Sequence, residues 1–275
     1  MFPANFDYVR AESVDHALGL LAADGNAKLI AGGHSLLPML KLRLASPSAL
    51  IDIGRLEELR GIEASGGVLR LGSLTTHQEL ESSPVVAQHA PILAEAAKAI
   101  ADPAVRNRGT VGGNIAHADP ASDLPAVLVA LGATMHLRGP VGTRSVAAAD
   151  FFVGLLESAA VPGEILTHVE LPALGPGDGS AYVKMEHPAS GYTICGAAAV
   201  IRGGVATLAF NGVADHAFTA TPPAGLSDAA IDSALAGIAV ADPLSDHSAS
   251  GPYRVHLARV YGRRALELAR SRAQG

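Results

Sequence analysis

Cysteine is almost absent from this sequence: Cys195 is the single cysteine among 275 residues. One cysteine cannot form a disulfide within the chain. It also cannot hold an iron–sulfur cluster, which needs about four thiolate ligands. Any iron–sulfur centre that exchanges electrons with this protein must therefore belong to a partner chain. Cys195 lies in the apolar stretch TICGAAAV, which favours a small buried strand residue over a reactive thiol.

Several patterns that mark common functions are also missing. The net charge is −6, so the basic surface of a nucleic-acid-binding protein is not expected. The sequence has no GxGxxG, no GxxxxGK[ST] and no GxSxG, which argues against a Rossmann site, a P-loop and an α/β-hydrolase nucleophile. The 11 histidines show no HExxH or similar spacing, so neither a metal site nor a catalytic residue is predicted in this chain.

Membrane and export signals are not evident either. No apolar run approaches the roughly 20 residues of a membrane-spanning helix. The first residues, MFPANFDYVRAES, lack the basic and apolar regions of a signal peptide. We therefore expect no membrane span and a cytoplasmic location.

Two glycine pairs are the most informative features that the sequence does have. Gly32-Gly33 follows a short apolar run, Lys28 to Ala31, that predicts a strand, and it precedes a predicted helix. Gly112-Gly113 lies in a second predicted loop, Thr110 to Pro125, which leads into a helix capped by Ser122. Each pair alone is most often a tight turn. Because glycine amides can converge on an anion, two such loops predict one ligand with two phosphates, held from both sides without a Rossmann motif.

The remaining pattern predicts an α+β protein in three parts. A first subdomain covers residues 1–55, and a second covers residues 56–175, in which Thr76 and Glu79 form a capping box at a helix start. The stretch LGPGDGS is typical of a linker. It leads into the third part, residues 176–275, which predicts a small antiparallel sheet with two helices.

Five stretches carry a resemblance to a known family. They are AGGHSLLPMLKLRLA (31–45), LIDI (50–53), IADPAVRNRGTVGGNIAHADPASDLPA (100–126), GEILTHVELP (163–172) and YRVHLARVYGRRALE (253–267). In this order and spacing they resemble the FAD-binding medium subunit of the molybdenum hydroxylases, the group that contains aerobic carbon monoxide dehydrogenase and xanthine dehydrogenase. The AGGHS and DPASD segments are most similar to the carbon monoxide dehydrogenase-type members.

The resemblance implies both a fold and a function. The fold is a PCMH-type FAD-binding domain of two α/β subdomains, followed by a C-terminal domain of the carbon monoxide dehydrogenase flavoprotein type. FAD in this chain would collect electrons from two [2Fe-2S] clusters in a small partner subunit and pass them to an external acceptor. Molybdenum–pterin would lie in a large partner subunit, and the complex would be a dimer of heterotrimers, a heterohexamer.

The residues that bind FAD follow from the resemblance by matching positions. The expected contacts are Leu29, Ile30, Ala31, Gly32, Gly33, His34, Ser35, Leu36, Ile100, Thr110, Val111, Gly112, Gly113, Asn114, Asp119, Asp123, Leu166, Lys184 and Tyr192. The backbone amides of 32–35 and 112–114 suit the pyrophosphate, with hydroxyl hydrogen bonds added by Ser35 and Thr110.

Individual roles within this set differ in how far the residues themselves support them. Asp123 is expected to accept hydrogen bonds from ribityl or ribose hydroxyls. Asp119 is either a second contact or a turn residue before a proline. Leu166 and Lys184 are placed near the adenine or the ring by the resemblance alone, although a strand leucine is more often core. Tyr192 matches an aromatic residue at the flavin ring.

Two other functions remain open from the sequence. One is a self-sufficient FAD oxidase or dehydrogenase of the same flavin-binding superfamily, and the other is a binding module that has lost the flavin. The substrate of the molybdenum subunit and the electron acceptor are not predicted.

Overall fold

The first subdomain is a small parallel α/β unit. The structure, a computed structural model, describes residues 2–274. The elements of this unit are β1 (Asp7–Arg10), α1 (Val14–Ala23), β2 (Lys28–Ile30), α2 (Leu36–Lys41) and β3 (Ala49–Asp52). The strands pair in the order β1-β3-β2, and both pairings are parallel. β2 and α2 are the strand and helix predicted on either side of the first glycine pair.

The second subdomain combines a five-stranded antiparallel sheet with a layer of short helices. Its elements are β4 (Ile62–Ser65), β5 (Val68–Gly72), α3 (His77–Ser82), α4 (Pro84–His89), α5 (Pro91–Ala99), α6 (Pro103–Arg106), α7 (Val111–His117), α8 (Leu124–Leu131), β6 (Thr134–Gly139), β7 (Gly142–Ala147), α9 (Ala148–Phe151), β8 (Phe152–Gly154), β9 (Glu157–Ser158) and β10 (Ile165–Pro172). The sheet order is β4-β5-β10-β6-β7. The capping box at the start of α3 is confirmed, because Thr76 Oγ1 accepts from the Glu79 amide and Glu79 accepts from the Thr76 amide.

The third part is an antiparallel sheet covered by a long helix. Its elements are β11 (Gly179–Glu186), β12 (Thr193–Arg202), β13 (Val205–Asn211), β14 (Phe218–Thr219), α10 (Asp228–Ala236) and α11 (Gly251–Ala273). The strands pair in chain order, and α11 packs on β11 and β12. Cys195 is fully buried in β12, where burial raises the pKa of its thiol to about 12. The expectation of a small buried strand residue is thus confirmed.

Helix α8 holds the second and third parts together. Its sequence, LPAVLVAL, is apolar on every side, and all eight residues are buried. It packs against α5 of its own subdomain and against β12 and β13 of the third part. One buried core therefore includes Leu128 of α8 together with Ala198 and Val200 of β12. The three-part division at 55 and 175 stays a prediction, since this core crosses the second boundary.

Candidate cofactor site

The loop between β2 and α2 presents a run of backbone N–H groups. Gly33 adopts a positive φ of 79°, a conformation that glycine takes without steric cost. Within residues 2–274, none of the amides of Gly32, Gly33, His34 and Ser35 donates a hydrogen bond to a protein acceptor. Since backbone amides in folded proteins are nearly always paired with protein or solvent, four consecutive donors of this kind can serve an anion.

This loop lies directly against the segment that leads to the second glycine pair. A Cβ placed on Gly32 would come within 2.1 Å of the Arg108 carbonyl oxygen and 3.0 Å of Gly109 Cα. No side chain fits at that position. Glycine at 32 therefore allows the β2–α2 loop to pack against Arg108 and Gly109, which lie just before the second glycine segment.

The second glycine pair is not in a loop, which corrects the prediction for Thr110 to Pro125. Gly112 and Gly113 form the first turn of α7, and Thr110 caps that helix by accepting a hydrogen bond from the Gly113 amide at 3.1 Å. Gly112 is required for packing, since its Cβ would lie 2.5 Å from Ser73 Cβ. Low helix propensity suggested a loop, and this close contact with the end of β5 outweighs it.

The amides of this turn are already used inside the protein. Gly112 N–H donates to the Ser73 carbonyl at 2.7 Å, and Asn114 N–H donates to the Thr110 carbonyl at 3.0 Å. The expectation that the amides of 112–114 are available to a phosphate is therefore wrong for this conformation. Donors that remain are the Thr110 hydroxyl and the side-chain amide of Asn114, whose Nδ2 has no acceptor in the described part of the chain.

The start of α8 also differs from the prediction. The helix begins at Leu124, with Asp123 at the N-cap position and no capping hydrogen bond from its side chain. Ser122, the predicted cap, instead donates its hydroxyl proton to Asn114 Oδ1 at 2.7 Å. Asp119 accepts from the Ala121 amide at 2.9 Å, which is the geometry of a turn residue.

Asp123 is the centre of a buried polar network. Its Oδ1 accepts from the Tyr182 hydroxyl at 2.7 Å and from the Thr193 hydroxyl at 2.9 Å. Lys184 Nζ lies 3.1 Å from the same oxygen. Burial raises the pKa of Asp123, while the Lys184 ammonium acts in the opposite direction. Because every neighbour donates to it, we treat the carboxyl as ionised.

These partners change the expected role of Asp123. Asp123 is 5% exposed, and the hydroxyls of Tyr182 and Thr193 donate to Oδ1 of the carboxylate that was predicted to bind hydroxyls of FAD. The structure supports an indirect role, in which Asp123 fixes elements around the site. Glycine at 196 is part of the same arrangement, because its Cβ would lie 2.5 Å from the Tyr182 hydroxyl oxygen.

Lys184 joins three segments around the site. Besides Asp123, its ammonium donates to the Ala99 carbonyl at 2.8 Å and to the Gly191 carbonyl at 3.0 Å. Ala99 precedes Ile100, and Gly191 precedes Tyr192, so three predicted site residues are brought together through one cation. Tyr192 itself is 58% exposed on the 187–192 loop. Partial burial and then the Asp119 carboxylate raise the pKa of its phenol.

The apolar residues of the predicted set are placed unevenly. Leu29, Ile30, Ala31 and Leu36 are half-buried around the first glycine loop, and Ile100 is half-buried at the end of α5. Leu166 is 7% exposed and belongs to the main core. The structure therefore gives Leu166 a packing role, and a contact with a ligand is not indicated there.

Sequence reasoning did not identify Tyr182, Thr193 and Asn211, which surround Asp123 and Ser122. Their signal is weak but present, since each is a polar residue within or at the end of a strand that is otherwise apolar. A buried polar residue needs a partner, which the sequence does not name.

The comparison with known families decides what this site belongs to. Residues 4–174 match the family model described as the FAD binding domain in molybdopterin dehydrogenase. The chain belongs to the FAD-binding medium subunits of the molybdenum hydroxylases. The residues fit FAD, because the four amides of residues 32–35 donate to no acceptor in the described chain and suit an anionic diphosphate. At Gly32 the neighbouring backbone leaves no room for a Cβ.

Individual relatives match this medium subunit over its whole length. The carbon monoxide dehydrogenase medium chain of Hydrogenophaga pseudoflava is 40% identical over 288 residues, and the match covers 99% of both chains. Subunit alpha of the 6-hydroxypseudooxynicotine dehydrogenase complex of Paenarthrobacter nicotinovorans is 38% identical, covering 100% of this chain and 97% of that one.

A solved structure confirms the fold. It is carbon monoxide dehydrogenase from Hydrogenophaga pseudoflava lacking the Mo-pyranopterin moiety of the molybdenum cofactor; its matching chain has a TM-score of 0.94 and 41% identity, with 99% of both chains covered. The α+β fold, the FAD cofactor and the oxidoreductase class predicted from the sequence are confirmed. An FAD electron-transfer subunit is favoured over a self-sufficient oxidase. Among residues 2–274, no helix has both the length and the apolar character needed to cross a bilayer.

Proposed function

We propose that this medium subunit holds the diphosphate of FAD on the amides of the 32–35 loop and transfers electrons within a larger complex. The observation that carries the proposal is the run of four N–H groups that donate to no acceptor in the described chain. A diphosphate at this loop would accept from them, and amide hydrogen bonds to an anion are stronger than those between neutral groups. When bound, FAD would accept electrons from the one-electron iron–sulfur centres of a partner and pass them to an external acceptor.

The other predicted contacts complete the proposed site. Thr110 and Asn114, at the start of α7, would donate to FAD from their side chains, opposite the 32–35 loop. Asp123 and Lys184 would hold the 187–192 loop so that the exposed ring of Tyr192 covers the flavin. We propose the whole predicted set as the surroundings of FAD, in which Leu166 packs in the core and Asp119 forms a turn.

We propose that the complex contains a small subunit with two [2Fe-2S] clusters and a large subunit with molybdenum–pterin, assembled as a dimer of heterotrimers. The lone, buried Cys195 supports separate iron–sulfur chains, since a cluster needs about four thiolates. The substrate would be selected in the large subunit. Carbon monoxide is one candidate, but a relative of similar identity is named for 6-hydroxypseudooxynicotine. The cytoplasmic location stays a prediction.

A charge placed in the loop tests the proposed diphosphate site. Gly33→Asp adds a carboxylate beside the phosphates, and we expect roughly 100-fold weaker FAD binding because like charges in contact cost several kcal/mol. Gly33→Ala separates the effect of the added Cβ from that of the charge. Gly204→Asp is a matched control, since Gly204 has φ 81° with no atom near its Cβ and lies in the β12–β13 turn.

Binding of FAD to the purified chain is followed by calorimetry and by the visible flavin absorption. Gly33→Asp and Gly204→Asp binding FAD equally well would contradict the diphosphate site. The complex is tested separately by isolating the native assembly and assaying iron, molybdenum and flavin. A flavin-containing chain that copurifies without iron and molybdenum would contradict the proposed partners.

A further inference from the structure

Two histidines and a glutamate lie together on the solvent side of the five-stranded sheet. His136 on β6 and His168 on β10 are direct cross-strand partners, and their rings stack with centroids 4.3 Å apart and planes 7° apart. Glu170 follows on the same side of β10. One ligand atom from each of the three residues lies within 4.8 Å of the others.

The hydrogen bonds around this cluster leave both imidazole Nε2 atoms facing the carboxylate. Thr167 Oγ1 donates to the His136 carbonyl oxygen at 3.0 Å and contacts His168 Nδ1 at 2.9 Å. Since the threonine proton is used on the carbonyl, its oxygen accepts from His168 Nδ1–H. That tautomer leaves His168 Nε2 with a lone pair, 3.6 Å from Glu170 Oε1.

His136 presents a similar unmatched atom. Its Nε2 is shielded from solvent and makes no hydrogen bond in the described chain, although Glu170 Oε2 lies 3.2 Å away. In the tautomer with its proton on Nδ1, His136 directs the Nε2 lone pair at this carboxylate, which is unfavourable unless a cation lies between them. The threonine hydrogen bond resembles the outer contacts that orient metal-binding histidines in proteins.

We propose that His136, His168 and Glu170 bind a zinc ion that bridges β6 and β10. Two imidazoles and one carboxylate are a known zinc ligand set with one position left for water. Ligands about 2.1 Å from a tetrahedral zinc are about 3.4 Å apart. Because zinc lies in the plane of each imidazole that binds it, the two rings must turn out of their parallel stack to close the site. The ion would fix the strand pair at the bulge between Leu166 and His168.

Arg70 is the main opposing feature. It lies on β5 opposite Glu170, and its positive charge competes with a bound cation. Arg70→Gln is therefore expected to tighten zinc binding several-fold. An unchanged or weaker affinity in that variant would place the ion elsewhere.

The test uses the full chain after treatment with a chelator, with Zn²⁺ in calorimetry and Co²⁺ in visible absorption. We expect one ion per chain, a tetrahedral cobalt spectrum and a higher melting temperature with zinc. His136→Gln, His168→Gln and Glu170→Gln should each weaken binding more than tenfold. His216→Gln, which removes an exposed histidine paired with Asp215 at 2.6 Å, should bind as the parent does.

Absence of saturable binding, or equal loss in the His216→Gln control, would overturn the site. Circular dichroism of each variant establishes that the chain is folded before binding is scored. A folded Glu170→Gln variant that binds zinc as tightly as the parent would equally refute the proposal.

Discussion

The two glycine segments have the same Gly-Gly pair and opposite uses. At Gly32-Gly33 the backbone amides donate to nothing in the described chain, whereas at Gly112-Gly113 they donate to the Thr110 cap and to the Ser73 carbonyl just after β5. The first segment leaves its donors free for the proposed diphosphate, and the second uses its donors within the protein. A glycine pair thus indicates where backbones approach closely, and the fate of the N–H groups decides which of the two uses applies.

The largest expected effect comes from breaking the buried ion pair between Asp123, near the end of the second segment, and Lys184. Asp123→Asn leaves the Lys184 ammonium, whose side chain is 7% exposed, with only the exposed carboxylate of Glu186 at 3.8 Å as a counter-charge. Removing one partner of a buried ion pair costs about 3–5 kcal/mol, so we expect a loss of that size in the free energy of unfolding measured with urea. The double variant Asp123→Asn with Lys184→Met should recover a large share. A single variant as stable as the parent would contradict the ionised pair.

His77 makes the junction of the two segments sensitive to acid. The His77 ring is 3% exposed and packs so closely on Gly109 that a Cβ on that glycine would clash with it. Burial, and then the charges of Arg106 and His34, lower the pKa of His77 to about 4. The unfolded histidine binds a proton near pH 6.5. The contribution of His77 is therefore complete above about pH 6.5 and falls as pH drops toward 4, by on the order of 3 kcal/mol in total.

Chemical unfolding of the parent and of His77→Gln across this range checks the prediction. All other titrating groups are shared by the two proteins, so their difference reports His77. The stability of the variant should change less with pH. If the free energies of unfolding of the two proteins changed in parallel between pH 6.5 and pH 4, the pKa of His77 would not be lowered in the folded protein.

Gly112 and Gly113 are adjacent in α7, but a Cβ would meet different neighbours at the two positions. Gly112→Ala forces a methyl group against Ser73, 2.5 Å from its Cβ and 2.8 Å from its carbonyl oxygen, so we expect a loss of about 2–3 kcal/mol. Gly113→Ala meets only the Thr110 hydroxyl at 2.8 Å and gains helix propensity. Its stability should change by less than about 1 kcal/mol. Thermal unfolding of the two variants side by side decides; equal losses would mean that Gly112 is not held against β5.

The sequence predicted the features that depend on local or family signals. The capping box at Thr76 and the strand before Gly32 follow from residues a few positions apart. The first turn of α7 was predicted wrongly, because a glycine pair lowers helix propensity and the contact with Ser73 lies outside any local window.

The partners of Asp123 were out of reach for a different reason. Tyr182 and Thr193 are 59 and 70 residues away along the chain, and only the packing of α8 against the third part brings them to the carboxylate. A single sequence shows that Asp123 is polar and next to an apolar helix. It does not show whether the acceptor faces a ligand or a buried hydroxyl, so the hydrogen bonds from Tyr182 and Thr193 were not predicted.

The smallest predicted effects separate binding from packing most directly. Thr110 caps α7 through its hydroxyl, so Thr110→Ala should cost about 1 kcal/mol of stability, and FAD affinity should fall less than in the Ser35 variant. Ser35 makes no capping bond, so Ser35→Ala should leave stability within about 0.5 kcal/mol and weaken FAD binding about tenfold. Thr110→Ser, which keeps the hydroxyl, is the control for lost methyl packing. If Thr110→Ala weakened FAD binding as much as Ser35→Ala without loss of stability, both segments would bind phosphate, and the contrast between them would fail.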